Sequence, residues 1–457
     1  MMMLRNQYWK VATRIRMFRQ RQFPAWRRFA AVLGDSSRNS PPKAEAVEKK
    51  LLLLAWEFPP AVTGGVYRPM SFAKYAAEAS WKVTVLAGPG PEISTAAGNY
   101  LEKSIPAAVA IHRIPAGDRG PHPWPLPNID GGILNAIAVY EAASRLIDSG
   151  AGGVIVASGP PFHNFVAGMW LAKRFGWRLV LDYRDEWTEC PFDFVLKDQT
   201  NRAWEKRCLR HADHVVFTTR SQLNHETSVF PELRADKCVV IPNGWEPDDF
   251  MAAKEVGGHL TEESNTGERP ITVAYLGNLG PMAAPEGFLA TLARVLDNSP
   301  ELRSRVQVKF IGYKRQSALD RLREFPYPDA LELIDQVPKS EACHMMQSVD
   351  ALLILNPPGI ARYIQGKLYE YIASRTPILV YGEGGEMAEI VNKLGTGTVV
   401  PANDAARLES ALSSIRSHSR MNNDAIDSWL QSRQRKMLAH QMLDTLDQLR
   451  PPAHLYS

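Results

Sequence analysis

Leu51-Leu-Leu-Leu-Ala-Trp56 is an unbroken apolar run, followed at once by Glu57-Phe-Pro-Pro-Ala-Val-Thr-Gly64-Gly65-Val-Tyr-Arg68 and then by a helical pattern over 68–79. A strand that is apolar at every position must be covered on both faces, which is the situation inside a parallel sheet. The same unit recurs along the chain that follows. Short apolar runs at Lys82–Leu86, Val154–Ala157, Arg178–Leu181, His214–Phe217 and Val239–Ile241 predict strands, with helices at 133–149, 162–175 and 200–211 between them. A polar stretch over 252–270 breaks the alternation. It restarts with strands at Ile271–Leu276, Val306–Ile311, Leu331–Ile334, Ala351–Leu355, Ile378–Tyr381 and Gly397–Val400. Helices are expected near 284–297, 314–324, 340–347, 366–374, 386–394 and 404–417. Strand–helix alternation of this kind predicts two consecutive doubly wound α/β domains with parallel sheets. The boundaries follow as a tail and linker over 1–48, a first domain over 49–250, a linker over 251–270, a second domain over 271–420 and a terminal helix over 421–449.

The chain has 457 residues, 45% hydrophobic and 22% charged, with a formal net charge of +4. This composition excludes a wholly disordered or fibrous chain. The charge is uneven: residues 1–50 carry +9 and the remainder −5. An acidic body with a basic tail excludes a basic nucleic-acid-binding body. Within 4–33, Leu4, Tyr8, Val11, Ile15 and Phe18 recur at helical spacing among arginines, and Pro24 precedes a second amphipathic piece with Trp26 and Phe29. Such a segment fits an anionic lipid surface, and an organelle-targeting or disordered leader fits the same composition. The four cysteines, Cys190, Cys208, Cys238 and Cys343, form no C-x-x-C pair and read as free thiols of a reducing compartment. No apolar run approaches the roughly 20 residues a bilayer span needs. The expected location is cytoplasmic, with peripheral attachment to the inner face of the membrane as a further expectation.

Ligands of open parallel sheets bind beyond the carboxyl ends of strands, so the loops there are the places to search. After the first strand, Gly64 and Gly65 permit close backbone approach, and Arg68 offers a charge for an anion. A plain strand–helix turn explains the same residues. This is neither G-x-G-x-x-G nor a Walker loop, so the nicotinamide and P-loop readings lose their support. His163, after Val154–Ala157, is placed to handle a proton, though a capping or surface histidine accounts for it equally well. Asp182-Tyr-Arg184-Asp185-Glu-Trp187 follows a buried strand. Asp182 and Arg184 read best as a structural network, and Asp185 is the stronger candidate for chemistry. Asn243-Gly244 reads as a hinge turn. In the second half, Gly277 and then Gly312-Tyr-Lys314-Arg315 follow strands, a pattern suited to a diphosphate. Most informative is Arg362-Tyr-Ile-Gln-Gly366-Lys367-Leu-Tyr-Glu370. Lys367 and Glu370 fall on one face of a helix's first turn, where a lysine neutralises phosphate and a glutamate accepts hydroxyl hydrogens; a surface ion pair is the competing reading.

Taken together, Trp56-Glu-Phe-Pro-Pro, Asp182-Tyr-Arg-Asp-Glu-Trp187, Ile241-Pro-Asn-Gly-Trp245 and Gly366-Lys-Leu-Tyr-Glu-Tyr371 resemble the family 4-like glycosyltransferases of GT-B fold, from about Leu51 to Leu449. The resemblance implies two Rossmann-like domains facing a cleft, with a C-terminal helix crossing back onto the first. It implies sugar transfer from a nucleotide-sugar to a glycan or glycolipid acceptor, retaining and without an essential metal or cofactor, in cell-surface polysaccharide or glycolipid biosynthesis. On the donor side it implies Gly64, Gly65, Gly277, Lys314, Arg362, Lys367 and Glu370, with Glu370 on the ribose and Lys367 at the diphosphate. On the acceptor side it implies Arg68, His163 and Asp185. The catalytic candidates are Lys367 for the leaving group and His163 or Asp185 for the acceptor hydroxyl. Two positions depart from the family's pattern: Arg362 stands where a first glutamate is common, and the loop 280–286 lacks a basic residue. A sugar-nucleotide epimerase of the same fold and a non-catalytic nucleotide-sugar-binding subunit are the alternative readings.

Overall fold

The computed structural model describes residues 23–38, 40, 48–91, 95–116, 126–148, 152–251, 269–280, 283–357, 359–382, 384–417 and 423–449. The chain divides into two units. Among the described residues, the first comprises those of Met1–Phe217, Leu223–Val240 and His440–Ser457, and the second those of Thr218–Gln222 and Ile241–Ala439.

The first unit is built on seven parallel strands: β1 (Lys50–Leu54), β2 (Lys82–Ala87), β3 (Ala110–Arg113), β4 (Val154–Gly159), β5 (Arg178–Tyr183), β6 (His214–Phe217) and β7 (Cys238–Val240). Their order across the sheet is β3-β2-β1-β4-β5-β6-β7. Leu51 to Leu54 pair with Val83 to Leu86 on one side and with Val154 to Ala157 on the other. This places the opening run at the centre of the sheet. All four leucines are buried, and each contributes about 1.5–3 kcal/mol of burial energy. Strand β3 was not expected from the sequence. It is a four-residue edge strand with alternately exposed side chains, too short and too polar to stand out.

Helices α1 (Phe23–Ser36), α2 (Tyr67–Glu78), α3 (Ala96–Lys103), α4 (Ile133–Ser144), α5 (His163–Phe175), α6 (Gln199–His211) and α7 (Arg220–Val229) connect or precede these strands. Helix α1 corrects the reading of residues 1–48 as a tail and linker. Its Phe29 and Val32 are buried, with the Phe29 ring 6.3 Å from that of Trp170. Arg28 forms a two-pronged bond to Glu141 at 2.9 and 2.6 Å, and Asp35 accepts from Tyr140 and Arg174. Phe29 is therefore unavailable to a lipid surface, whereas Trp26 and Leu33 remain exposed. Residues 1–22, with Tyr8, Ile15 and Phe18, lie outside the described residues.

The second unit carries six parallel strands: β8 (Ile271–Leu276), β9 (Val306–Ile311), β10 (Leu331–Ile334), β11 (Ala351–Asn356), β12 (Ile378–Gly382) and β13 (Gly397–Val400). Their order is β10-β9-β8-β11-β12-β13. Helices α8 (Glu286–Asn298), α9 (Pro300–Arg305), α10 (Gln316–Arg323), α11 (Lys339–Ser348), α12 (Lys367–Ser374), α13 (Glu386–Leu394) and α14 (Ala405–Ser414) fall between or after them. The strand order reverses between β1 and β4 in the first unit and between β8 and β11 in the second, and ligands of such sheets settle at these switch points.

The terminal helix expected over 421–449 is two helices, α15 (Asp424–Ser432) and α16 (Arg435–Gln448). Trp245 supplies the reason for the break: its N–H donates to the Arg433 carbonyl at 3.1 Å, and its carbonyl accepts from the Arg435 N–H at 3.0 Å. These bonds use groups the helix would otherwise employ. From His440 onward α16 belongs to the first unit, where Lys49 pairs with Asp447 at 2.7 Å.

Candidate functional site

In the second unit, five expected residues, Gly277, Lys314, Arg362, Lys367 and Glu370, lie in loops after strands or in the first turn of α12. Gly277, directly after β8, has φ +134°, a conformation that only glycine adopts without strain. Its N–H donates to the Ile311 carbonyl at 2.9 Å. Gly312, after β9, has φ +120°, and a Cβ there would fall 2.6 Å from the Gly277 carbonyl oxygen. The two loops pass too closely for any side chain between them.

Helix α12 is fastened over this turn by Tyr371, whose hydroxyl accepts from the Leu276 N–H at 2.9 Å. That contact brings Lys367, the first residue of α12, to Gly277: a Cβ on the glycine would stand 3.2 Å from Lys367 Nζ. The ammonium sits 3.5 Å from the centroid of the Tyr275 ring, a cation–π contact. Among the described residues no hydrogen bond or ion pair ends on Lys367 Nζ. Burial pulls its pKa down to about 7, partly opposed by Glu370. No side chain caps the N-terminus of α12; the Gln365 carbonyl takes the Leu368 N–H at 3.0 Å, and the helix dipole and the remaining first-turn N–H groups are left at this end.

Glu370 lies one turn along. Lys339 bonds its Oε1, and Arg435 Nη2 stands 3.5 Å from the same oxygen. Burial pushes the carboxyl upward, but the two cations outweigh it and hold the group below its ordinary value. Lys314 departs from expectation: its ammonium donates to the carbonyls of Gly312 at 2.8 Å and Ile334 at 2.5 Å, so it braces the loop. Burial lowers its pKa. Arg362 precedes α12 and is half-buried, and its carbonyl accepts from Thr219 Oγ1 at 2.6 Å.

In the first unit the charges at strand ends are mostly paired with each other. Arg68, expected to meet an anion, instead grips Asp182, with Nε and Nη2 at 2.9 and 2.8 Å from Oδ1. Ser158 Oγ donates to Oδ2 at 2.9 Å, and all three residues are buried. Arg184, expected as the partner of Asp182, donates instead to the carbonyls of Gly65 at 2.7 Å and Pro160. It also stands 3.5 Å from Glu57, which accepts from Thr63. A Cβ on Gly65 would lie 2.0 Å from both Arg184 Nη1 and Glu57 Oε2, whereas Gly64 faces open space. His163 is fully buried at the start of α5, edge-on to Trp56 with centroids 4.5 Å apart. Asp185 is half-buried past β5, and burial raises its carboxyl to about 6 despite Arg184 beside it; Glu186 and Glu57 add to the rise. A carboxylate poised there suits proton transfer near neutrality.

Sequence reasoning missed Tyr275, Lys339 and Arg435. Tyr275 reads as one more apolar strand residue, and the two cations are far from Glu370 along the chain.

Residues 63–244 match the family model described as a glycosyl transferase 4-like domain. The D-inositol 3-phosphate glycosyltransferase of Kribbella flavida is 22% identical over 222 residues, covering 46% of this chain and 50% of that protein. The chain thus aligns with about half the length of the curated relatives it matches. Sucrose-phosphate synthase from Thermosynechococcus elongatus superposes with a TM-score of 0.64 at 16% identity, over 88% of this chain and 99% of that one. The Anabaena protein HepE in complex with UDP and glucose gives 0.63 at 14% identity, over 88% and 100%. These structural likenesses carry the fold.

Proposed function

From a chain of the GT-B, family 4-like glycosyltransferase type, we propose an enzyme that moves a sugar from a nucleotide-sugar donor to a hydroxyl of a glycan or lipid-linked acceptor, retaining and without metal or cofactor. The observation that carries this reading is Lys367: a half-buried ammonium with no acid on it, set over a glycine turn at the switch point and at an open helix N-terminus. That arrangement suits a diphosphate. HepE, a similar fold, is complexed with UDP and glucose.

In the proposed reaction the bond between the sugar's anomeric carbon and the diphosphate breaks, and a bond to the acceptor oxygen forms. Negative charge grows on the departing diphosphate, where Lys367 and the α12 N–H groups stabilise it; charge placed in advance is usually the largest catalytic contribution. Gly277 lines the nucleotide, Glu370 accepts from the ribose, and Gly64, which faces open space where Gly65 is filled by Arg184 and Glu57, offers close backbone approach to a diphosphate. Asp185 takes the acceptor proton, with His163 as the other acceptor-side candidate. Lys367→Ala is expected to lower turnover by about 10²–10³-fold, the usual cost of one such donor, and to weaken nucleotide binding. Unchanged turnover with any nucleotide-sugar overturns the assignment. Tight donor binding by the wild type without transfer to any acceptor points to a non-catalytic subunit instead.

No helix among the described residues is long and apolar enough to cross a membrane. We place the enzyme on an anionic membrane surface through residues 4–22 together with the exposed Trp26, Arg27 and Leu33 of α1. Residues 1–22 hold six basic side chains and no acid, each basic residue worth about 1 kcal/mol near such a surface. Deleting them is expected to abolish co-sedimentation with phosphatidylserine-containing vesicles; undiminished sedimentation removes this part of the proposal.

A further inference from the structure

Glu370 does not stand alone in the second unit. Its side chain is 13% exposed, Lys339 is 23% exposed, and Arg435 and Asp249 are 10% and 12% exposed. Lys339 is the first residue of α11, Arg435 the first of α16, and Glu370 lies in the first turn of α12, so three helix starts converge on one carboxylate. Arg435 also reaches Asp249 at 3.7 Å. Both cations approach the same oxygen, Oε1; among the described residues every ion pair on Glu370 ends there.

A carboxylate turning about its last bond presents either oxygen to a ligand, and a diol needs one orientation held. Two cations on Oε1 remove that freedom and keep the group ionised, leaving Oε2 as the open acceptor. Resting on the donor site described above, we propose that Lys339 and Arg435 are positioning residues that fix Glu370 for the ribose diol, so that the preference for ribose over deoxyribose in the nucleotide depends on them. Neither touches the ligand in this scheme. Both act through Glu370.

The test uses the full chain and three probes, UDP, ADP and GDP, each with its 2′-deoxy counterpart, by calorimetry. The wild type is expected to prefer the ribose form by roughly 10–100-fold, the range for hydrogen bonds to a charged group. Lys339→Met is expected to shrink that ratio to threefold or less while leaving affinity for the deoxy form within twofold. Arg435→Met is expected to shrink it less, since its contact is longer. Lys339→Arg keeps the charge and is expected to restore most of the ratio, which guards against a variant that merely misfolds. Glu370→Gln abolishes the preference, and adding Lys339→Met to it changes nothing further. An unchanged ratio in Lys339→Met, or an equal loss of both forms, overturns the inference. A wild type that binds nucleotides with no ribose preference also overturns it, and one that binds none of the three defeats the donor-site reading beneath it.

Discussion

The two sheets share an order over six strands, and the arginines at the carboxyl ends of the first differ from one lysine of the second. In the first unit, Arg68 is closed onto Asp182, and Arg184 onto the carbonyls of Gly65 and Pro160. A further arginine, Arg113 at the end of β3, donates to the Pro59 carbonyl and so holds the loop after β1 from its other side. In the second unit, Lys367 has an aromatic face beneath it and no acid on its ammonium. A buried charge with its partner in place is part of the scaffold. One kept desolvated without a partner costs stability and is retained where a ligand completes it.

The sharpest way to break this comparison is to remove the partner. Asp182→Ala leaves the Arg68 guanidinium buried without its carboxylate and is expected to destabilise the protein by about 3–5 kcal/mol. Replacing both members with apolar residues, Arg68→Met with Asp182→Leu, is expected to recover most of that loss. Urea denaturation followed by tryptophan fluorescence, which samples Trp56, Trp170 and Trp187 in the first unit, measures both. A cost below about 1 kcal/mol for Asp182→Ala would mean that the pair is not structural.

The sequence announced the two sheets because buried parallel strands must be apolar throughout, and Leu51 to Leu54 advertise this without help from any partner. It did not announce β3, whose alternating four residues resemble a loop, nor the docking of α1, whose arginines hid a buried stripe of Phe29 and Val32. At the candidate sites, Lys367, Glu370 and Gly277 were legible because a turn of helix and a glycine after a strand are local signals. The choice of Arg68 over Arg184 as the partner of Asp182 was not. Both arginines were visible, but only the fold decides which guanidinium reaches the carboxylate, just as it decides that Lys314 turns onto carbonyls.

The neighbouring glycines of the first unit sharpen the comparison at smaller cost. A Cβ on Gly65 meets Arg184 and Glu57 at 2.0 Å, so Gly65→Ala must push both side chains aside, and overpacking of that kind costs about 1–3 kcal/mol. Gly64 faces open space, so Gly64→Ala is expected to stay within about 0.5 kcal/mol of the wild type in the same denaturation experiment. If Gly64 approaches a diphosphate, its substitution lowers donor affinity while leaving stability alone. Equal destabilisation by the two substitutions would show that the Arg184 clamp does not shape this loop.

The last expected effect separates the two units by pH. Asp185 is raised from an ordinary value of 3.8 to about 6, so the folded chain holds a proton the unfolded chain has released, and its contribution to stability falls as pH rises between those values. Lys367 is lowered from 10.5 to about 7. Between these values the unfolded chain holds the extra proton, so stability from this group rises with pH. Donor binding runs the other way over the same window. A diphosphate binds the charged ammonium, so affinity is full below about 7 and falls by up to tenfold per pH unit above it, until the pKa of the bound state is reached. Calorimetric titration with UDP from pH 7 to 9 is expected to show this decline in the wild type and a flat profile in Lys367→Ala. The same decline in both proteins would assign the titration to another group and remove Lys367 from the diphosphate site.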